Sequence, residues 1–341
     1  ARLPCGGMDL VTGGTGIVGV HVLRELLHRG RPVRALARAG NDTSIVGRVF
    51  AHYGDEALLD RINWVEGDLL DVISLEEAMD GVERVFHAAA EVSFNPGDTR
   101  KLDRVNRKGT ANVVNAALRT HVKLLVHVSS TAAIGEVLSG RPATEDDAFD
   151  PGGSHSPYAD SKWAAELEVE RGRAEGLEAV IANPCIVLGP GRGGRSSMGL
   201  VDRLARGSRY YPPGSNAVVD ARDVAHALVE LADKRAITGR YLLIGENLSY
   251  RELFGKLATS FGHPAPGFAL RPWMLRAAAS ASTLLGPFLG GRTLVTRHTV
   301  RSSLARRSWS AGRVKAELGM RFRSAGEAVA NVAAFRGRPG G

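Results

Sequence analysis

A chain of 341 residues, 44% hydrophobic and 23% charged, excludes a disordered, collagen-like or low-complexity protein and is long enough for one large domain with a smaller one appended. The net charge of +8 is uneven: Arg292 to Arg323 holds nine Arg/Lys against the single acid Glu317. No aromatic residues are regularly interleaved there and no nucleic-acid motif accompanies the charge, so nucleic acid is not an expected partner. Two cysteines, Cys5 and Cys185, exclude a disulfide framework and fit a reducing cytoplasm, the expected location. No basic segment followed by an apolar run opens the chain, so no signal peptide is expected; Met8 is the expected natural start, with residues 1–7 a short extension.

The first strand is expected around Met8, Leu10 and Val11, followed by an amphipathic helix from Gly16 to Leu27. Between them stands Thr12-Gly13-Gly14-Thr15-Gly16-Ile17-Val18-Gly19. Two glycine registers fit, Gly14-x-Gly16-x-x-Gly19 and Gly13-x-x-Gly16-x-x-Gly19, and both describe a dinucleotide-binding turn. Glycine lets the backbone approach a pyrophosphate, and the helix that follows aims free N–H groups and its positive dipole end at the phosphates. A strand before the loop and a helix after it make this reading specific. The second strand, Val33 to Ala37, ends at Arg38 rather than at the acid that normally binds the adenosine ribose. Arg38 suits a 2′-phosphate, so NADP (NADPH) is expected over NAD, and Asp42 comes too late to compete.

Ile62 to Val65 reads as the third strand. Asp68-Leu69 after it is placed to meet the adenine amino group. Val82 to Ala88 reads as the fourth strand, and Ala88, Ala89 and Ala90 are small enough for a cofactor to lie against the backbone; His87 beside them reads as a structural histidine rather than a base. A helix from Leu102 to Ala117, a fifth strand from Lys123 to Val128 and a sixth from Ala179 to Ala182 complete a βα alternation, which predicts a doubly wound parallel sheet covered on both faces. The fifth strand ends in Ser129-Ser130-Thr131. Tyr158-Ala159-Asp160-Ser161-Lys162 then opens a helical stretch, and its spacing puts Tyr158 and Lys162 on one face. The lysine ammonium is expected to lower the tyrosine pKa and to hydrogen-bond the nicotinamide ribose. Tyr158 would exchange a proton with the substrate oxygen, with Ser130 (Ser129 as alternate) holding that oxygen.

Beyond Pro184 the pattern loosens. Gly189 to Gly199 reads as a loop, Val224 to Ala232 as a helix, Tyr241 to Ile244 as a strand rejoining the sheet, and Tyr250 to Phe261 as a helix. Trp273 to Leu285 is apolar but interrupted by Arg276 and too short for a bilayer, which needs about 20 residues. With Phe288 and Leu289 it is expected to form core of a small domain. Its alternatives are a pocket for an apolar ketone, aldehyde or sterol-like alcohol, or a membrane-surface contact beside the basic stretch.

These segments, joined by Val105-Asn106 through Gly109-Thr110, Asn183-Pro184 through Gly189-Pro190 and Val219-Asp220 through Asp223-Val224, run the length of the chain in one order. In that order the chain resembles the extended short-chain dehydrogenase/reductases, in the branch with dihydroflavonol reductases and 3β-hydroxysteroid dehydrogenases. The resemblance implies an α/β fold, a doubly wound parallel (Rossmann) sheet with a smaller C-terminal substrate-binding domain. The first would take 8–188 with 217–245 rejoining it, the second 189–216 and 246–336. It implies catalytic Ser130, Tyr158 and Lys162, backbone contact of Pro184 and Ile186 with the nicotinamide, a helper or structural role for Asn106, a homodimer through the helices flanking Tyr158, and no metal. Dehydratases of this family carry an Asp-Glu pair where Thr131-Ala132-Ala133 stands here, so redox exchange of a carbonyl and an alcohol on a small-molecule substrate is favoured. A nucleotide-sugar epimerase and a non-enzymatic NADP-binding regulator are the alternatives; regulators of this fold typically lack the tyrosine.

Overall fold

The computed structural model describes residues 7–135, 137, 140–194, 196–234, 238–285 and 296–337. β1 (Met8–Thr12) leads into α1 (Ile17–His28), β2 (Val33–Ala37), α2 (Ser44–Tyr53), β3 (Ile62–Glu66), α3 (Val72–Met79) and β4 (Val82–His87). α4 (Thr99–Leu102) and α5 (Gly109–Arg119) follow, joined through a π-helical segment, Asp103–Lys108. Then come β5 (Leu124–Val128), α6 (Pro157–Ala174), β6 (Ala179–Pro184), β7 (Ile186–Leu188), α7 (Ser196–Leu204), β8 (Tyr210–Tyr211) and β9 (Ser215–Asp220). The remainder is α8 (Ala221–Asp233), β10 (Gly239–Leu243), β11 (Glu246–Ser249), α9 (Tyr250–Ser260), β12 (Phe268–Ala269), α10 (Pro272–Leu285), α11 (Arg297–Leu304), α12 (Gly312–Leu318) and α13 (Ala325–Arg336).

Seven parallel strands form the main sheet in the order β10-β6-β5-β4-β1-β2-β3. Because both faces are covered, neighbouring residues of one strand enter different cores. Leu10 packs with residues of α3 and α5, and Val11 with residues of α1 and α8. The chain winds outward from β1 in one direction through β2 and β3 and in the other through β4, β5 and β6. That reversal leaves a crevice at the carboxyl ends of β1 and β4, where such sheets bind ligands.

The stretch 217–245, expected to rejoin the sheet, divides. β10 does pair with β6, Gly239 opposite Val180 through Leu243 opposite Pro184, and α8 packs on α1. β9 instead forms the centre of a second sheet, parallel to β7 and antiparallel to β11. Residues of β7, α7, β9, β11, α9 and α13 share one apolar cluster, including Leu188, Val201, Val218, Leu253 and Val329.

Two expectations change. The loop read over 189–199 turns helical at Ser196, because Met198, Val201 and Leu204 supply an apolar stripe that the preceding glycines and arginines mask. The Trp273–Leu285 stretch is a helix whose described side chains are mixed: Trp273 is 64% exposed, Ala277 and Ala278 face solvent, Met274 and Leu275 are half-buried and Ala279 is buried. Cys5, Phe288 and Leu289 lie outside the described residues. Cys185 is a buried free thiol. No helix among the described residues is long and apolar enough to cross a membrane.

Candidate functional site

The glycine loop sits at the crevice. Gly13 has φ +72, and a Cβ there would stand 2.6 Å from the Ala89 backbone nitrogen and 2.8 Å from the Ala88 carbonyl carbon, so β1 and β4 meet through bare backbone. The loop closes on itself where Gly16 N–H donates to Gly13 O at 2.8 Å. A Cβ on Gly19 would fall onto that same Gly13 carbonyl. α1 opens at Gly16 with no side-chain cap and no acid in its first turn, which leaves its N–H groups and dipole for an anion. Gly14 lies buried against Leu23; Thr15 receives only the Asn41 amide at 3.4 Å. Val18 is buried, and Ile17 packs from the loop onto both neighbouring cores. Thr12, expected to touch the cofactor, has its hydroxyl in use: it pairs with His87 Nδ1 at 2.8 Å and accepts from Ala89 N–H at 3.3 Å, so it shapes the loop from behind.

Arg38 follows β2 with an exposed side chain that has no partner among the described residues. Asp42, the nearest acid after it, is occupied, accepting from Ser44 N–H at 2.9 Å and pairing with Arg192 at 3.1 Å. Asp68 and Leu69 form a turn beyond β3. The Asp68 carboxylate accepts from Leu70 N–H at 2.9 Å, and Leu69 O accepts from Asn112 at 2.9 Å. Ala88 and Ala89 are half-buried and Ala90 is exposed, forming the small-residue wall opposite the loop. His87 is fully enclosed, with Thr110 Oγ1 3.0 Å from Nε2, and burial pushes its pKa down to about 3, so it stays neutral as the structural histidine expected. An uncapped helix N-terminus and a cradle that a Cβ would fill together fit the pyrophosphate of a dinucleotide.

The proton-handling groups gather at the ends of β5 and β6. Ser156 caps α6 by accepting from Ala159 N–H at 3.2 Å, and Pro157 occupies the first helical position. Tyr158 therefore lies in the first turn, its ring edge-on to Phe94 at 5.8 Å. Burial raises its pKa, countered only by the Ser130 side chain. Lys162 is buried and donates from Nζ to Val128 O at 2.8 Å; burial lowers its pKa to about 8, against the opposing charge of Glu166. The expected depression of Tyr158 by Lys162 is thus absent from this arrangement: the ammonium is directed at the β5 carbonyl. Asn106, in the widened π turn, accepts from Glu91 N–H at 2.8 Å and donates to Ser161 Oγ at 2.9 Å, tying the segment after β4 to α6. Pro184 is buried and paired with Leu243 of β10, and Ile186 begins β7, half-buried.

Glu166 was not anticipated. It is 1% exposed, one turn beyond Lys162 on the same face. It accepts from Ser129 Oγ and from Asn183 Nδ2 at 2.6 Å, and pairs with Arg240 of β10 at 2.7 Å. The same Asn183 nitrogen donates to Ser130 O at 2.9 Å. Ser129 is therefore committed behind the sheet end, which leaves Ser130 as the hydroxyl beside Tyr158. The sequence signal was an acid repeating the Tyr158–Lys162 spacing once more; its partners come from two later strands. Glu166→Gln removes the negative charge that holds Lys162 protonated. The alkaline limb of the kcat/KM profile, where Lys162 loses its proton, is expected to move about one pH unit lower. A titration of kcat/KM against pH for both proteins checks it, and an unmoved limb would separate Glu166 from the charge of Lys162.

A glycine turn at the switch point of a parallel sheet, followed by a serine at the end of β5 and by a tyrosine and a lysine one turn apart on α6, defines a dinucleotide-dependent enzyme of the short-chain dehydrogenase/reductase type, acting on CH–OH groups. The chain belongs to the NAD dependent epimerase/dehydratase family, whose profile matches residues 10–245. It is 32% identical over 338 residues to "Sterol demethylase protein B" of Methylococcus capsulatus, covering 96% of this chain and 98% of that protein. It is 33% identical over 330 residues to "Putative dihydroflavonol 4-reductase" of Synechocystis sp., covering 94% and 92%. The crystal structure of gox2253 is similar with a TM-score of 0.81 at 30% identity, covering 97% of this chain and 98% of that one. These relatives lie in the extended, reductase-containing branch that the motifs indicate, and the cofactor class is NAD(P).

Proposed function

We propose that this protein is an NADP-dependent oxidoreductase that interconverts a carbonyl and an alcohol on a small apolar substrate. The observation that carries the reading is the pairing of Tyr158 with Ser130 beside a buried Lys162, with Thr131, Ala132 and Ala133 following instead of acids. Bound at the glycine loop, the reduced cofactor supplies hydride. Ser130 holds the carbonyl oxygen and Tyr158 gives that oxygen its proton. Because burial raises the tyrosine pKa above its usual value near 10, Tyr158 is protonated at neutral pH, as reduction requires. The reverse direction needs the phenolate and is expected to speed up as pH rises. Lys162 and Val128 O fix the floor of the site, and Phe94 against the tyrosine ring supplies an apolar wall. Similarity over nearly the whole chain to a protein named for sterol demethylation supports an apolar substrate.

NADP is proposed over NAD because Arg38 is unpaired at the end of β2 and Asp42 is engaged elsewhere. Arg38→Asp is expected to lower the NADPH-to-NADH ratio of kcat/KM by about tenfold to a hundredfold, the loss of a charge-assisted bond to the 2′-phosphate. Steady-state kinetics with both cofactors checks it; an unchanged ratio would take Arg38 out of cofactor selection. A panel of apolar ketones and aldehydes scored by NADPH oxidation tests the reaction itself. Cofactor binding without turnover on any of them would favour a regulator.

A further inference from the structure

Among the described residues, four large aromatic side chains are strongly exposed; two of them, Tyr210 at 49% and Phe268 at 66%, lie side by side, and a third, Trp273 at 64%, follows five residues after Phe268. β8 and β12 place Tyr210 beside Phe268, with Phe268 N–H donating to Arg209 O at 3.1 Å and Leu270 N–H to Tyr211 O at 2.8 Å. Trp273 follows in the first turn of α10, whose Ala277, Ala278 and Ala281 are also exposed.

The sequence flanking these aromatics is one-sided in charge. Residues 203–219 contain no acid, and residues 247–316 contain eleven Arg/Lys and one acid, Glu252. Glu252 is engaged with Ser249 in a capping box. Arg206, Arg209, Arg271 and Arg276 are exposed and have no ion pair among the described residues; Arg251 lies 5.9 Å from the Tyr211 ring centre. Elsewhere arginines are largely neutralised, as in Arg29 with Glu25, Glu230 and Asp233, Arg84 with Asp9 and Asp233, and Arg171 with Glu168 and Glu175.

We propose that the face formed by Tyr210, Phe268, Trp273 and their surrounding arginines docks on an anionic lipid bilayer surface. Aromatic rings with polar edges favour the headgroup boundary, and arginine stems cover apolar surface while their heads reach phosphate. A second copy of this chain would bring two cationic faces together in a two-fold contact. The exposed alanines of α10 offer a nucleic acid nothing to pair with. α10 also packs on α11, whose Arg301 donates to Ser154 O at 2.6 Å just before the Tyr158 helix. A lipid-dissolved substrate leaving the bilayer there is one helix away from the proton donor.

The test is flotation of the full chain with vesicles of phosphatidylcholine alone and of phosphatidylcholine mixed with phosphatidylglycerol. The protein is expected to float with the anionic vesicles only and to be released by high salt. Arg209→Ala and Arg271→Ala are each expected to weaken partitioning about fivefold. Phe268→Ser with Trp273→Ser, both at exposed positions, should abolish it with NADPH affinity retained as the check on folding. No partitioning, or equal and salt-insensitive partitioning onto both vesicles, overturns the proposal. So does displacement from the anionic vesicles by a short single-stranded oligonucleotide at the same salt, or a sedimentation-equilibrium dimer that the Phe268→Ser, Trp273→Ser protein loses.

Discussion

Tyr158→Phe is expected to lower kcat/KM for carbonyl reduction by about 10²- to 10⁴-fold while NADPH binding stays within about twofold. The substitution deletes one oxygen and keeps the ring, so the edge-on contact with Phe94 and the Ser156 cap of α6 survive. What is lost is the proton donor that Ser130 faces. Among the described residues, neither neighbouring group replaces it: Lys162 is turned to Val128 O, and His87 is enclosed between two threonines and neutral. Single-turnover kinetics with saturating NADPH measures the chemical step directly. Retained turnover would remove Tyr158 from proton transfer.

Gly19→Ala is expected to weaken NADPH binding by about tenfold to a hundredfold and to lower Tm by a few degrees. The added methyl would stand on the Gly13 carbonyl, 2.6 Å from the Gly13 carbonyl carbon and 3.0 Å from Gly14 Cα. All of these are backbone atoms, and the Gly13 carbonyl already accepts from Gly16 N–H. Relief requires the whole phosphate turn to shift. Gly47 in α2 is the control: a Cβ there meets nothing within 4 Å, and Gly47→Ala is expected to stabilise by about 0.4–1 kcal/mol. Calorimetric titration of NADPH and thermal melts of both variants check the pair. Equal behaviour would mean the turn accommodates the methyl.

Local patterns carried most of the main sheet. Val33–Ala37 and Val82–His87 are apolar runs bounded by turns, and burial on both faces leaves them unbroken. The site was legible where its residues sit close in sequence, as in the glycine loop and the Tyr158–Lys162 turn. The second sheet was not, because β7, β9 and β11 are short and pair across long separations. α2 was not legible either: its buried stripe of Ile45, Val46, Val49 and Phe50 spans only ten residues and is interrupted by Gly47, a poor helix former. Nor does any local pattern announce the π turn that brings Asn106 to Ser161. The Glu166 cluster failed to register for a different reason: burying a carboxylate is unfavourable unless distant donors meet it, and those donors are visible only once β6 and β10 are in place.

The late arrival of β10 has a consequence for how the protein is made. A nascent chain that has emerged only as far as β6 holds every residue of the proposed catalytic set, yet its sheet ends in an unpaired edge and Glu166 lacks its guanidinium. Synthesis must pass residue 243 before that edge is sealed and the charge is met. The apparent nucleotide-binding half is therefore not a portable module. A fragment ending after β7 is expected to behave as a sticky folding intermediate, with the edge of β6 and the charge of Glu166 both unmet until β10 docks.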